Sequence, residues 1–551
     1  MKAYHDGNTG NQNFVYLKDG VIHSSLPLDI EYNHDRCAFE LGLIGAQLLD
    51  MAQRYYDEVQ TLKDENARLN KRAKRPQLKP SVIAKEDSDY KKAKKKRTER
   101  KNPSKSKQPI TKTITFQPKQ TLPKGARFKG YKTFYVQEMA IQIHKIAYQR
   151  ARWKLPNGET VYGELPEHIK GRHFGSKIRQ FILYQYFHNH VTQPLLLNQL
   201  REMGVSISSG QLSNLLTKQN ADFQNEKDSL LTAGLQSSDY IQVDDTGARH
   251  QGKNGFCTQI GNQAFTFFKT SKNKSKDNFL NILQGKQTGY RLNQVAYDYL
   301  KRLKSFSNWS LRQVKYHLEK DVVYHSKNEW LNYLQCQSYT KGSYKALTEA
   351  AMLGYLEQDI FRKPLVVLSD EAKQFDLNNN AGCWVHAERK LTKIISSDEQ
   401  QSKQKERKLA QFWGLYKTLK TEVTQGKLTS QRKYQLKKRF DNLCEKVPRF
   451  KKLNVELLHL HSMKSSLLKC LELPSVPLHN NLSESDIREY VKRRKISSGT
   501  KSDDGRDAID TFLSLKKTCQ RYGISFSAYL EDRLENRQKI ALLSEFILNH
   551  S

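Results

Sequence analysis

Apolar residues recur along this chain with three different periods. Between residues 39 and 70 they return every seventh position, at Leu41, Leu48, Tyr55, Leu62 and Leu69, with Gly45, Ala52, Val59 and Asn66 at the paired positions. That period predicts a helix over 39–70. Its seam either zips in parallel with a second copy, with Asn66 fixing the register, or docks on its own domain. Short β-branched runs give the second period. Asp239–Asp244 and Lys363–Asp370 each read as a strand ending in an aspartate, and the continuous Leu365-Val366-Val367-Leu368 predicts a buried central strand. Asn254–Lys269 alternates like one or two further strands (Phe256, Thr258, Ile260, then Phe265, Phe267). Thr111–Phe116 and Arg127–Glu138 also look strand-like, and residues 13–23 read as a hairpin turning at Asp19-Gly20.

The third period is helical. It marks Ser176–Asn189, Pro194–Met203 and Gln211–Lys218, whose leucines fall at 212, 215 and 216. It returns in Asn293–Ser305, Leu311–Glu319 and Lys327–Leu334, and again in 395–472 and 501–551. The chain therefore divides into an N-terminal segment (1–38), a coiled-coil helix (39–70), a basic linker (71–111) and a helical region (112–232). An α/β domain (233–500) follows, with insertions at 288–359 and 395–472, and then a C-terminal helical module (501–551).

Charge narrows the partners. The 551 residues carry 93 Lys and Arg against 57 Asp and Glu, a formal net charge of +36. Such an excess points to a polyanion, either nucleic acid or an anionic surface, the bland alternative being a merely soluble or ribosome-associated basic protein. No apolar run reaches the roughly 18 residues of a membrane span, and the N-terminus lacks the apolar core of a signal peptide. The seven cysteines are scattered with no Cys-x-x-Cys pair, so the expectation is a reduced, cytoplasmic protein without a disulfide framework. Residues 71–111, with Lys91-Lys92-Ala93-Lys94-Lys95-Lys96-Arg97, read either as an arm for DNA phosphates or as a solvated tether.

Three acids then stand out. The order strand with Asp244, two strands, strand with Asp370 is that of a ribonuclease-H-like core, in which the central strands lie side by side. Asp245 follows Asp244 directly and points to the opposite face, so Asp244 is the candidate ligand and Asp245 a structural residue; Glu371 beside Asp370 is treated alike. Glu484 follows Asn480-Asn481, either of which suits a helix cap. With Arg488, Lys492 and Lys495 it spans about 80° of a helix, forming one stripe. The same residues also read as a solvated helix with a weak Glu–Arg pair. Three carboxylates can hold two Mg²⁺ ions, with Mn²⁺ as a substitute, and leave room for water and a phosphodiester. Further upstream, the turn Gly204–Gly210 between two helices suggests a helix-turn-helix offering Gln211, Ser213 and Asn214 to base edges; any helical hairpin would look similar.

With these residues in place, the chain resembles the DDE transposases of insertion-sequence family sixty-six. Val243-Asp244-Asp245-Thr246-Gly247 looks like that family's first aspartate block, and Leu368-Ser369-Asp370 falls where its second lies. Gly382-Cys383-Trp384-Val385-His386-Ala387-Glu388-Arg389-Lys390 is very similar to its Gly-Cys-Trp-Ala-His-Ala-Arg-Arg-Lys block. Asn480-Asn481-Leu482-Ser483-Glu484, with Arg488, Arg494 and Lys495, is similar to its glutamate helix, and Thr511–Tyr529 to its C-terminal module. The resemblance covers roughly residues 190–285 and 360–535. It implies metal-dependent cleavage at transposon ends and strand transfer, with Asp244, Asp370 and Glu484 catalytic and Arg488, Lys492, Arg494 and Lys495 on DNA phosphates. Cys383 and His386 would support the active site, with a core Cys and a hydrogen-bonded His as the alternative. The implied partners are double-stranded DNA, a second copy or more of the chain, and accessory transposition proteins, in a bacterial cytoplasm at the nucleoid. Two departures are visible. Residues 112–165 contain no cysteine, so the family's zinc element is missing, and 288–359 lengthens the interval between the aspartates. A stand-alone nuclease and an idle transposase-derived regulator are the rival readings.

Overall fold

The computed structural model describes the two strands of an N-terminal hairpin, helical positions Met51, Arg54, Tyr55 and Glu58, and residues 110–549 except 121, 167–168, 304–305, 319–321, 338 and 427. The hairpin pairs β1 (Val15–Lys18) with β2 (Val21–Ser24), Lys18 opposite Val21. Most of the heptad segment and the basic residues 71–109 lie outside the described residues. Residues 110–551 form one compact unit, separate from 1–109.

That unit begins with a correction. Thr111–Phe116 and Arg127–Glu138 form no strands, and side chains such as Phe116 and Phe134 are more than four-fifths exposed. Alternation gives a segment an apolar face, but a strand also needs a neighbour for its N–H and C=O groups, and none pairs with these segments among the described residues. The first strands here are the exposed hairpin β3 (Arg152–Lys154) and β4 (Thr160–Tyr162). Helices α1 (Ser176–Leu183), α2 (Gln193–Glu202), α3 (Ser209–Thr217) and α4 (Ala221–Ser237) follow. The hairpin α2–α3 starts its second helix two residues earlier than the glycine turn suggests. A reciprocal capping box is the reason: Gln211 N–H donates to Ser208 Oγ, and Ser208 N–H donates to Gln211 Oε1.

The sheet has five strands in the order β11–β10–β5–β6–β7. β5 (Tyr240–His250), β6 (Lys253–Gly261) and β7 (Thr266–Ser271) are antiparallel, while β10 (Val366–Ser369) and β11 (Asn380–Gly382) join β5 in parallel. β5 does not end at Asp244; it continues to His250 because β6 folds back on it through Gln251-Gly252, both at positive φ. Backbone pairing carries the strand through Gly247 and Arg249, where no apolar pattern announces it.

Between β7 and β10 run α5 (Lys276–Gln284), β8 (Tyr290–Arg291), α6 (Gln294–Arg302), α7 (Asn308–Leu318), β9 (Val323–Tyr324), α8 (Lys327–Cys336) and α9 (Tyr344–Tyr355). The 288–359 insertion shares the main core through Tyr290, Trp330 and Leu353. After β11 come α10 (Trp384–Lys393), then the antiparallel bundle α11 (Glu399–Thr424), α12 (Ser430–Cys444) and α13 (Lys451–Ser462). Trp384 fastens that bundle, its ring centroid 4.9 Å from that of Phe412 and its Nε1–H donating to the Leu467 carbonyl at 2.8 Å. α14 (Asn481–Ser497) lies against β5 and β6, and α15 (Asp503–Arg521) against β7. α16 (Phe526–Leu534) and α17 (Leu543–Asn549) complete the core over α1 and α4.

Candidate active site

Register brings the two aspartates together. Leu368 of β10 lies opposite Gln242 of β5, so two residues further on Asp370 falls beside Asp244, with neighbouring strands about 4.8 Å apart. Glu484 arrives from α14, whose first turn is tied to the same strand. Asn480 Nδ2 donates to the Val243 carbonyl at 2.8 Å, and Ser483 N–H reaches Gln242 Oε1 at 3.4 Å. Asn480 occupies the N-cap position, but its side chain makes no cap bond; the capping role expected of it is replaced by a strut to the strand of Asp244. Asn481 is the first residue of the helix.

Apart from Ile487, the underside of α14 is polar, which the sequence pattern does not show. Ser483, Asp486, Tyr490 and Arg493 are buried at i, i+3, i+7 and i+10. Asp486, wholly buried, accepts from Thr266 Oγ1 at 2.7 Å and pairs with Lys517 at 3.1 Å and with Arg521. This network fixes the helix without an apolar stripe, so hydrophobic periodicity alone cannot tell it from a solvated helix. The opposite face presents Glu484 and the exposed Arg488, Lys492 and Lys495. Arg494 stands apart from that track: its guanidinium binds the Gly247 carbonyl and, at 3.4 Å, Thr246 Oγ1, bracing α14 on β5.

The electrostatics record how close the acids stand. Burial, then the Asp370 carboxylate, with Glu484 and Asp245 adding to it, pushes the Asp244 carboxyl up to about 7, against the hydrogen bond it accepts from the Asp245 N–H at 2.8 Å. Asp245 is raised too, first by burial, but it accepts from Gln374 Nε2 at 2.6 Å and has Lys274 at 3.8 Å. Arg488 stands 3.5 Å and His386 3.8 Å from Glu484; among the described residues no basic side chain reaches ion-pair distance of Asp244 or Asp370. Glu484 Oε1 is buried without a hydrogen-bond partner.

Cys383 is buried at the start of α10, its sulfur accepting from the Asn480 N–H at 3.4 Å, and burial pushes its thiol up. His386, one turn on, is held toward its neutral form by burial and by Arg389. Both therefore touch α14 at the end that carries Glu484. Gln211 and Asn214 are exposed on α3, with Gln211 Oε1 already used in the capping box. The structure does not bring them to the carboxylates as partners.

All three acids offer hard carboxylate oxygens, donors that Mg²⁺ prefers more than zinc does, and Asp244 and Asp370 have no basic side chain at ion-pair distance among the described residues. Among the described residues no three His, Cys, Asp or Glu side chains stand close enough to hold one ion jointly.

The sheet, its converging acids and the basic helix define a mixed α/β protein with an acidic site beside a basic helix face. The match to known sequences then gives the lineage. The transposase IS66 family model matches residues 354–508, which include Asp370, the Cys383–His386 block and Glu484. The uncharacterized protein y4jO of Sinorhizobium fredii (strain NBRC 101917 / NGR234) is 38% identical over 322 residues, 58% of this chain and 99% of that protein. This chain belongs to the IS66 transposase family. No helix among the described residues is long and apolar enough to cross a membrane.

Proposed function

We propose that the protein is a DDE transposase with a ribonuclease-H-like core. It cleaves DNA at transposon ends and joins the freed 3′-hydroxyl to target DNA in the bacterial cytoplasm. The single observation that supports this most is the convergence of Asp244, Asp370 and Glu484, from two adjacent strands and the helix strutted to them, at a place where Asp244 is pushed up to about 7. Asp244, Asp370 and Glu484 would hold two Mg²⁺ ions, or Mn²⁺. When bound, these supply a deprotonated attacking oxygen and neutralise charge on the leaving oxygen. The chain itself leaves Asp244 and Asp370 without a cation at ion-pair distance among the described residues and orients Glu484 through Asn480 and Ser483. The exposed Arg488, Lys492 and Lys495 offer a phosphate track leading away from Glu484, and Arg494 keeps that helix seated. Pairing through the 39–70 heptad would make the working unit a homodimer or larger, open to accessory transposition proteins.

A strand-transfer reaction with Mg²⁺, end-bearing duplex and a target plasmid tests this reading. Glu484→Gln should abolish both cleavage and joined product, and undiminished activity would overturn the assignment. Cut products with no joined product from the unaltered protein would instead favour a stand-alone nuclease. Unaltered function after Asp244→Ala would favour the regulator.

A further inference from the structure

The ladder that brings Asp370 toward Asp244 stops short of it. Leu368 opposite Gln242 is the last pair of β10 with β5, and Ser369 opposite Gly382 the last with β11. Asp370 therefore opens a loop, residues 370–379, that returns to the sheet at β11. The loop bends at once: Glu371 sits at φ 75°, and the Asp370 carboxylate accepts from the Ala372 N–H at 3.3 Å. Backbone pairing points Asp370 at its neighbour but does not hold it there, and the Asp244 and Asp370 carboxylates repel one another.

Two anchors fasten the loop. Phe375 closes the single helical turn Lys373–Phe375; it is buried and meets the Phe279 ring of α5 edge-on, with centroids 4.9 Å apart. The residue before it, Gln374, donates from Nε2 to Asp245 Oδ2 at 2.6 Å. Among the described residues this is the one hydrogen bond from the loop to β5. It is short, and it is charge-assisted because the acceptor is a carboxylate. The other oxygen of Asp245 faces Lys274 at 3.8 Å, and that ammonium also lies over the Phe256 ring. Both oxygens of Asp245 thus have protein partners. A carboxylate held in this way is suited to tying down a loop rather than to taking an ion.

We propose that Asp245 and Gln374 are a positioning pair, whose bond holds the loop of Asp370 against β5 and keeps the Asp370 carboxylate beside that of Asp244. The proposal rests on the reading of Asp244, Asp370 and Glu484 as the Mg²⁺ site of a DNA-cutting enzyme, and adds the residues that set the spacing of its two aspartates. Chain order suits the task. Asp245 adjoins Asp244, and Gln374 lies one short turn beyond Asp370, so a single bond fixes both strand ends. Partners of this kind commonly carry roughly ten- to hundredfold in ion affinity or rate, because acids displaced by about 1 Å no longer present the productive geometry.

The test uses the full-length protein, with Mg²⁺ binding followed by calorimetry and cleavage of end-bearing duplex by steady-state kinetics. Gln374→Ala and Asp245→Ala should each weaken Mg²⁺ binding and lower kcat by roughly tenfold or more, with KM for DNA unchanged. The double variant should lose no more than either single one, since both remove the same bond. Asp245→Asn keeps an acceptor of the same shape for Gln374 and should restore most of the loss. An Asp245→Asn protein as impaired as Asp245→Ala would make Asp245 an ion ligand and overturn the pair. So would losses that add in the double variant, a change in KM alone, or a Gln374→Ala protein that binds Mg²⁺ and cuts as the unaltered one does. If the unaltered protein binds Mg²⁺ but cuts no DNA, the DNA-cutting reading fails and calorimetry alone decides the pair. If it binds no Mg²⁺, both fail.

Discussion

Asp244, an acid of the proposed site, carries a stability penalty. Its carboxyl ionises near 4 in an unfolded chain and is pushed up to about 7 in the fold, chiefly by burial and by Asp370. A raised carboxyl pKa means the folded state disfavours the anion, so metal-free stability falls as pH rises from about 4 through about 7. Metal-free Asp244→Asn should therefore be more stable than the unaltered protein at about pH 8, by on the order of 2 kcal/mol, with the difference gone by about pH 4. Chemical denaturation at the two pH values checks this. Adding Mg²⁺ should stabilise the unaltered protein and not the variant. The residue types were legible in sequence, and strand alternation is the ground for expecting Asp244 rather than Asp245 as the ligand, since adjacent side chains on a strand diverge. The setting of Glu371 was not legible: its Oε2 accepts from Lys390 and lies 3.1 Å from His459 Nε2, 19 and 88 residues away.

Among the elements, α14 decides the geometry of the site, and its two faces can be tested separately. On the buried face, Asn480→Ala removes the strut to the Val243 carbonyl beside Asp244. The loss of one buried hydrogen bond should cost about 1–3 kcal/mol, while displacement of Glu484 should lower kcat by about a hundredfold with KM for DNA little changed. Steady-state cleavage kinetics and denaturant melts separate the two effects. On the exposed face, Arg488, Lys492 and Lys495 each changed to Gln should weaken DNA binding across all sequences and reduce the slope of log affinity against log salt by about 1 per residue. A slope that stays constant would remove this helix from the DNA track. The sequence showed the exposed stripe by its charge. It could not show the buried one, because Ser483, Asp486, Tyr490 and Arg493 are polar and become an interface only when Gln242, Gln259, Thr266 and Arg521 meet them.

Across the whole molecule, the C-terminal helices belong to the sheet. α15 lies on β7, and its buried Asp510 accepts from Thr270 N–H and Oγ1, both at 2.7 Å, while Phe512 stacks on Phe187 at 4.2 Å. A chain ending at Thr500 should therefore fail to fold, seen as loss of soluble protein and of a cooperative thermal transition; a soluble, cooperatively melting truncation would show that 501–551 is a separable module. Local sequence determined the strands around Asp244 and Asp370, most of the helices, the cationic balance and the three acids, because burial period, charge and residue type are written position by position. It misplaced strands at 111–138 and ended β5 too early, because pairing depends on a neighbour the segment does not contain. Only the tertiary structure decided that Asp370 lies beside Asp244, that Asn480 struts rather than caps, that Arg494 braces the helix, and that Gln374 reaches Asp245. Each of those rests on contacts between residues far apart in the chain, and such contacts exist only once the sheet and its insertions have closed around them.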